Sequence, residues 1–308
     1  MPELKLNTTN IAFIGYGEAG AVFSQGILAG NPDRRVAAFD IKTTQAETRA
    51  AKLKAFEQHG VVGCEDTGEA IAQAGIIFST VTADRAYEAA EQAARHPLKG
   101  AIFADCNSCA PDTKRASARI IEAAGGRYVD AAVMAPVGLP LTKTPFLLSG
   151  PHAPEALAAL IALGFTAREK VGDVGLASSI KMTRSIMIKG MEALVMECVL
   201  AGRKAGIDDE VLASLDKSFP GFDWKNRTAY MFERMMTHGI RRAAEMREVV
   251  KTVDDLGLPN PMSAAIVEWQ QLIGAQEIDA AALPADDYAT YADHILDKIS
   301  PMGEGEAT

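Results

Sequence analysis

Six residues near the start constrain this chain more than anything else in it. Gly15-Tyr16-Gly17-Glu18-Ala19-Gly20 follows the apolar run Ile11-Ala12-Phe13-Ile14 and precedes an amphipathic stretch from Ala21 to Leu28. A G-x-G-x-x-G run between a strand and a helix is the phosphate loop of a dinucleotide-binding fold. Gly15 permits the tight turn, Gly17 lets a pyrophosphate approach the backbone, and Gly20 lets helix and strand pack closely. The helix start then presents N–H groups and a positive dipole end to the phosphates. Gly15, Gly17, Glu18, Ala19 and Gly20 are therefore the expected cofactor-binding residues of the loop.

A second apolar run, Val36–Asp40, ends on an acid twenty residues beyond Gly20. A carboxylate there accepts hydrogen bonds from the adenosine ribose hydroxyls and repels a 2′-phosphate, so NAD is expected in preference to NADP. Lys42 and the pair Thr43-Thr44 stand where they can receive a phosphate, which keeps NADP in view.

The rest of the first half repeats the same grammar. Short apolar runs at Ile11–Gly15, Val36–Asp40, Ile76–Val81, Ile102–Asp105 and Tyr128–Ala132 alternate with Ala- and Glu-rich segments such as Thr44–His59 and Arg85–Arg95. That alternation predicts βαβ units and a parallel sheet with helices on both faces, extended by Phe146–Leu148 and Phe165–Val171. After Val174 the texture changes. Leu176–Ala205 reads as one long helix, followed by helices over Met231–Leu256 and Met262–Leu272, which Gly257 and the Pro259-Asn260-Pro261 breaker separate. The expected architecture is α/β: a Rossmann-type dinucleotide-binding domain over 1–172, joined by a long helix to an all-α substrate and dimerisation domain over 173–308. A length of 308 residues accommodates two such domains.

Composition closes off other classes. With 48% hydrophobic and 23% charged residues, the chain is not disordered. Its most apolar stretch, Met191–Ala201, carries Glu192 and Glu197, so no membrane span is expected. The start, MPELKLNTT, lacks the apolar core of a secretory signal, and four cysteines then read as reduced thiols of a cytoplasmic protein. Thirty-one basic against forty acidic residues argue against a nucleic-acid partner and leave a small molecule as the expected one.

In an open α/β sheet, ligands bind beyond the carboxyl ends of the strands. That rule selects Thr80-Val81-Thr82 for the cofactor, and Asp105-Cys106-Asn107-Ser108 and the segment Asp130–Val137 for cofactor or substrate. Asn107 is expected on the nicotinamide side and Ser108 at the substrate, although both also suit a polar cap before Ala110-Pro111-Asp112. Cys106-x-x-Cys109 has no second cysteine pair, and His59, His96, His152, His238 and His294 show no ligand spacing, so no metal site is expected and the cysteines read as packing.

Lys181 lies early in the long helix, within Gly175-Leu176-Ala177-Ser178-Ser179-Ile180-Lys181-Met182-Thr183-Arg184. A lysine in a partly apolar cleft beside another cation loses proton affinity, and such an amine can exchange a proton with an alcohol. A solvated surface lysine has the same local sequence, so these residues alone leave both readings open.

Here the chain resembles the β-hydroxyacid dehydrogenase family, which includes 3-hydroxyisobutyrate and 6-phosphogluconate dehydrogenases. The segment Gly175–Arg184 is similar to the family's G-x-G-x-x-x-K-x-x-N, and Asp105-Cys106-Asn107-Ser108 with Asp112-Thr113-Lys114-Arg115 resembles the D-x-x-N-S…D-T-x-R of the 6-phosphogluconate enzymes. The resemblance implies that Lys181 is the catalytic acid/base, and that the protein is an NAD(P)-dependent dehydrogenase acting on a small, anionic hydroxy acid. A homodimer is expected mostly on the same ground.

The chain also departs from the family. The usual D-x-P-V-S-G-G turn is Asp130-Ala131-Ala132-Val133-Met134-Ala135-Pro136 here, so Met134 brings no hydroxyl and Pro136 no N–H. The asparagine after the lysine is replaced by Arg184 or Ser185, and the second acid of 6-phosphogluconate decarboxylation by Ile188. Decarboxylation of that substrate is therefore not expected. Arg184 is expected to supply the missing anion contact, and Met134, Ala135 and Ser185 to border the substrate. Retention of Lys181 speaks against an imine reductase of the same fold. A dinucleotide-binding sensor without turnover is the alternative from another class.

In the helical half, His238, Arg241, Arg242 and Glu245 share one face at i, i+3, i+4 and i+7. The stretch resembles a C-terminal domain of unknown function found in one branch of these oxidoreductases. A solvated Arg–Glu face is one reading. The other, taken from relatives whose helical domain closes over the cleft, makes His238 and Arg242 substrate contacts. Phe219–Trp224 reads as an aromatic loop, more suited to core packing than to a pocket.

Overall fold

The structure, a computed structural model, describes residues 8–136 and 141–299. Eight strands form one sheet: β1 (Asn10–Ile14), β2 (Arg35–Phe39), β3 (Val62–Gly63), β4 (Ile76–Ser79), β5 (Ile102–Asp105), β6 (Arg127–Val133), β7 (Phe146–Ser149) and β8 (Ala167–Glu169). Their order is β3-β2-β1-β4-β5-β6-β7-β8. The strands from β1 to β6 run parallel, β7 pairs antiparallel with β6 along Asp130↔Ser149 to Val133↔Phe146, and β8 runs parallel to β7.

Parallel strands covered on both faces carry unbroken apolar runs, and here every residue of β4 and β5 is buried. The pleat divides them. Ile11, Phe13 and Phe78 point to a core shared with α1 (Glu18–Gly30) and α6 (Ala153–Ala162). Ala12, Ile14, Ile77 and Phe103 point to the opposite core, under α4 (Ala86–Ala94) and α5 (Pro111–Ala123). Phe13, Phe23, Phe78, Phe146 and Phe165 make a chain of ring contacts through the first core. The strand order reverses between β1 and β4, which is the switch point where a crevice opens beyond the carboxyl ends.

The chain divides into two compact units, Met1–Met182 and Thr183–Thr308. The division falls inside α7 (Leu176–Ala205), beyond the change of texture at Gly172, because the first turn of α7 is hydrogen-bonded to the sheet. The second unit also contains α8 (Asp208–Ser218), α9 (Trp224–Asp255), α10 (Pro261–Gly274) and α11 (Tyr288–Ile299) around Met196, Leu212, Phe232, Met235, Ile273 and Ile295. α9 and α10 cross where both are glycine: a Cβ on Gly239 would stand 2.7 Å from Gly274 Cα. α9 begins seven residues before Met231, so Trp224 is its first residue, and its ring packs at a tilt against Phe222 with centroids 4.2 Å apart. Among the helical methionines, Met182 and Met196 are core, whereas Met187 is 66% exposed.

Candidate active site

The three glycines of the loop serve three different needs. Gly15 has φ +83, and a Cβ there would fall 2.7 Å from Val81 Cγ1 and 2.8 Å from the Thr80 carbonyl oxygen. Thr80 Oγ1 in turn donates to the Gly15 carbonyl at 2.8 Å, so the end of β4 clamps the turn. Gly20 is held by close packing, its Cβ position 3.0 Å from the Gly15 oxygen. Gly17 is the contrast: no atom lies within 4 Å of where its Cβ would be, and no side chain caps the α1 terminus it begins. An open approach to bare backbone at the start of a helix is what a pyrophosphate requires, and the residues present fit a dinucleotide. Glu18 is exposed in that first turn, Ala19 is half-buried, Val81 borders Gly15, and Thr82 lies at the exposed strand end.

Tyr16, between the first two glycines, is tied down at each of its polar groups. Asp40 Oδ2 accepts its N–H at 2.7 Å, and Lys52, from α2 (Ala46–Gln58), donates to its carbonyl at 2.5 Å. Its hydroxyl bonds Ser24 Oγ at 2.6 Å and His59 Nδ1 at 3.0 Å, and its ring packs on Phe13 and Phe56. The second oxygen of Asp40 accepts the Lys42 N–H at 2.9 Å. Thr43 is buried and donates to the Asp40 carbonyl, while Lys42 and Thr44 are exposed. Lys52 and His59 carried no signal in the sequence, since α2 reads as an ordinary polar helix and their role appears only once α2 is laid beside the loop.

At the ends of β5 and β6 lies a second network. Lys114, fully buried on α5, donates to the Asp105 carbonyl at 2.7 Å and stands 3.0 Å from Asp105 Oδ1 and 3.6 Å from Asp130 Oδ1. Burial works against the charge of Lys114, but Asp105, Cys109 and Asp130 outweigh it and hold the ammonium above the ordinary lysine range. Tyr128 donates to Asp105 Oδ2 at 2.7 Å. Asn107 donates from Nδ2 to Asp105 Oδ1 at 2.7 Å and to Ser79 Oγ at 2.9 Å, while its buried Oδ1 accepts no hydrogen bond from the described residues. Ser108 follows, half-buried.

The same network fixes the start of α7. Ser178 donates to Asp130 through both its N–H (2.9 Å) and its Oγ (2.6 Å), and Ser149 Oγ accepts the Ala177 N–H at 3.0 Å. A carboxylate at a helix N-terminus meets both unpaired N–H groups and the positive dipole end. Lys181 stands one turn further on, half-buried, and Met134 and Ile180 pack against Ala132, Leu147 and Ala177. Ala135 and Pro136 are exposed, and residues 137–140, which follow them, lie outside the described residues. On the same helix Arg184 is exposed and Ser185 buried. Burial pushes the Cys106 thiol up to about 12, against the pull of the Lys114 and Lys181 ammonium groups. Cys106 is therefore a buried, unreactive thiol, Cys109 is likewise buried, and the described residues contain no cluster suited to a metal.

In the helical unit, Arg242 is buried and paired with Glu192, which also accepts Gln270 Nε2 at 3.1 Å. Glu245 receives Arg241 at 2.8 Å and Lys189 at 2.7 Å. His238 is half-buried, and its pKa is lowered to about 4 by burial and by Arg234, Arg241 and Arg242, so its imidazole is neutral at pH 7. No helix among the described residues is long and apolar enough to cross a membrane.

Comparison with known proteins agrees with this anatomy. Residues 10–144 match the NAD binding domain of 6-phosphogluconate dehydrogenase, and residues 203–273 match a domain of unknown function (DUF1932). A conserved hypothetical protein from Sinorhizobium meliloti 1021 is 34% identical, with 95% of this chain and 97% of that one covered and a TM-score of 0.71. The 3-hydroxyisobutyrate dehydrogenase of Pseudomonas aeruginosa is 27% identical over 70% of this chain and 72% of its own length. The 3-hydroxyisobutyrate dehydrogenase of Mycobacterium tuberculosis, solved with L-serine, shares the fold at 18% identity, covering 93% of this chain and 99% of that one with a TM-score of 0.68. With its NAD(P)-binding sheet, its long connecting helix and its helical second half, the chain belongs to the β-hydroxyacid dehydrogenase family, in the branch that carries this C-terminal domain of unknown function.

Proposed function

We propose that the protein is an NAD(P)-dependent dehydrogenase that moves a hydride between nicotinamide and the carbinol carbon of a small hydroxy acid, with Lys181 as general acid/base. The observation that carries this reading is that Asp130 and Ser149 tie the first turn of α7, and Lys181 with it, to strands β6 and β7 of the sheet that bears the glycine loop. The bound nicotinamide supplies the hydride chemistry. Lys181 takes the hydroxyl proton when the substrate is oxidised and returns it on reduction. The loop N–H groups of Glu18, Ala19 and Gly20 hold the phosphates, Asp40 holds the ribose, and the unpaired Asn107 Oδ1 is suited to an amide or hydroxyl donor of the cofactor.

The substrate is read as anionic. Arg184 offers a guanidinium one turn beyond Lys181, with Ser185 beside it in sequence, and Ser108, Met134 and Ala135, from the ends of the sheet, are assigned to the same substrate. Within the helical unit, His238 and Arg242 are kept as candidate substrate contacts on the face of α9 that also carries Arg241. Met187 and Leu194, 66% and 65% exposed and seven residues apart on α7, support a homodimer.

The test is NAD(P) reduction by 3-hydroxyisobutyrate and other 3-hydroxy acids, with wild type and Lys181→Met. The variant should bind NADH as wild type does and lose turnover by about a factor of 10² to 10⁴. An unchanged rate in the variant would remove Lys181 from the chemistry.

A further inference from the structure

Asp40 is the acid expected to exclude a 2′-phosphate, yet its charge is not alone. Lys52 Nζ stands 3.5 Å from Asp40 Oδ2, and both side chains are largely withdrawn from solvent, 15% and 10% exposed. The ammonium is held there by a second bond, to the Tyr16 carbonyl at 2.5 Å, and lies 5.9 Å from the centre of the Tyr16 ring. It is a fixed charge of the loop, unlike the exposed Lys42. A carboxylate repels a phosphate through its net charge, and a cation at a similar distance from that phosphate cancels most of the effect. The capacity of Asp40 to accept hydrogen bonds is a separate matter. Its two oxygens receive the N–H groups of Tyr16 and Lys42, which leaves lone pairs for ribose hydroxyls. Acceptance of NAD(H) therefore depends on Asp40, whereas tolerance of a 2′-phosphate depends on what offsets Asp40.

We propose that Lys52 is the specificity-determining residue at the ribose end of the site: paired with Asp40, it cancels the repulsion a lone carboxylate would exert on a 2′-phosphate, so that the protein takes NADPH as well as NADH. The proposal rests on the dinucleotide reading of the glycine loop and is independent of the role given to Lys181.

The experiment is fluorescence titration of the full-length protein with NADH and with NADPH at one ionic strength, on wild type, Lys52→Met and Lys52→Arg. The wild-type dissociation constants should lie within about tenfold of each other. Because Lys52 also supports the loop, both affinities can fall in Lys52→Met, so the ratio is the readout: NADPH should weaken at least about tenfold more than NADH, and Lys52→Arg should restore the wild-type ratio. An equal loss for both cofactors would reduce Lys52 to a support of the loop and overturn the proposal. So would a wild type that binds NADPH more than about a hundredfold more weakly than NADH. If a melting curve shows that Lys52→Met does not fold, 2′,5′-ADP and 5′-AMP on wild type decide the matter: similar affinities support the proposal, and about a hundredfold preference for 5′-AMP overturns it. Failure of wild type to bind either dinucleotide would overturn the proposal together with the reading beneath it.

Discussion

Lys114 Nζ stands 3.0 Å from Asp105 Oδ1 and 3.6 Å from Asp130 Oδ1, and none of the three side chains reaches solvent. One buried cation thus serves two buried carboxylates. The excess negative charge is met by hydrogen bonds: Tyr128 and Asn107 donate to Asp105, and the first turn of α7 donates to Asp130. Removing the cation strands both acids. Lys114→Met should therefore destabilise the protein by about 3 to 5 kcal/mol, far more than a lysine from a surface helix, as read by urea unfolding. A loss under about 1 kcal/mol would mean that the carboxylates are not held as ions by Lys114.

Gly15 and Gly17 differ by two positions and should fail in opposite ways. Gly15→Ala forces a Cβ into Val81 and the Thr80 carbonyl at φ +83, so it should cost stability, by more than about 2 kcal/mol. Gly17 has φ −86 and open space around its Cβ position, so Gly17→Ala should leave the melting temperature almost unchanged. The new methyl instead occupies the approach of the pyrophosphate, and the Kd for NADH should rise about tenfold or more. A Gly17→Ala protein that binds NADH normally would place the cofactor elsewhere.

That contrast marks what the sequence could and could not reveal. The loop and most of the strands were legible because their signals are local: glycine spacing, and apolar runs such as Ile76–Ser79 that a doubly covered sheet requires. β3 was not, since two exposed residues, Val62 and Gly63, make no run. α8 begins Asp208-Asp209-Glu210, acids that suit the positive end of a helix dipole but make no apolar run. Lys52 and Lys114 were invisible as site residues for a different reason. Each sits in a polar helical segment with the texture of a surface, and only the packing of α2 and α5 back onto the sheet brings the first beside Asp40 and the second between Asp105 and Asp130. Asp130 looked like part of a substrate turn, and the structure gives it a helix to cap.

Arg184 is exposed on α7 one turn beyond Lys181 and replaces the amide that the family pattern would place there. If it grips the substrate carboxylate in ground state and transition state alike, Arg184→Ala should raise KM by about tenfold or more and leave kcat within a factor of about three. Steady-state kinetics on the hydroxy acid that proves active will show the split. An unchanged KM would end its assignment as the anion contact.

His238 offers a prediction in pH. Its ordinary value is 6.5, and in the folded protein it is lowered to about 4, first by burial and then by Arg234, Arg241 and Arg242, with Glu245 pulling the other way. Between those two values the unfolded chain binds a proton that the folded chain refuses, so stability falls as pH drops from 6.5 toward 4. Above 6.5 the histidine is neutral in both states and contributes no slope. Partial exposure screens the effect, and a loss of about 2 kcal/mol across the window is the expected scale. Urea unfolding of wild type and His238→Asn at pH 7 and pH 5 isolates the contribution. The gap in stability between the two proteins should shift toward the variant at the lower pH. Equal losses in both would mean that His238 titrates in the folded protein much as it does unfolded, and that the arginines of α9 do not act on it.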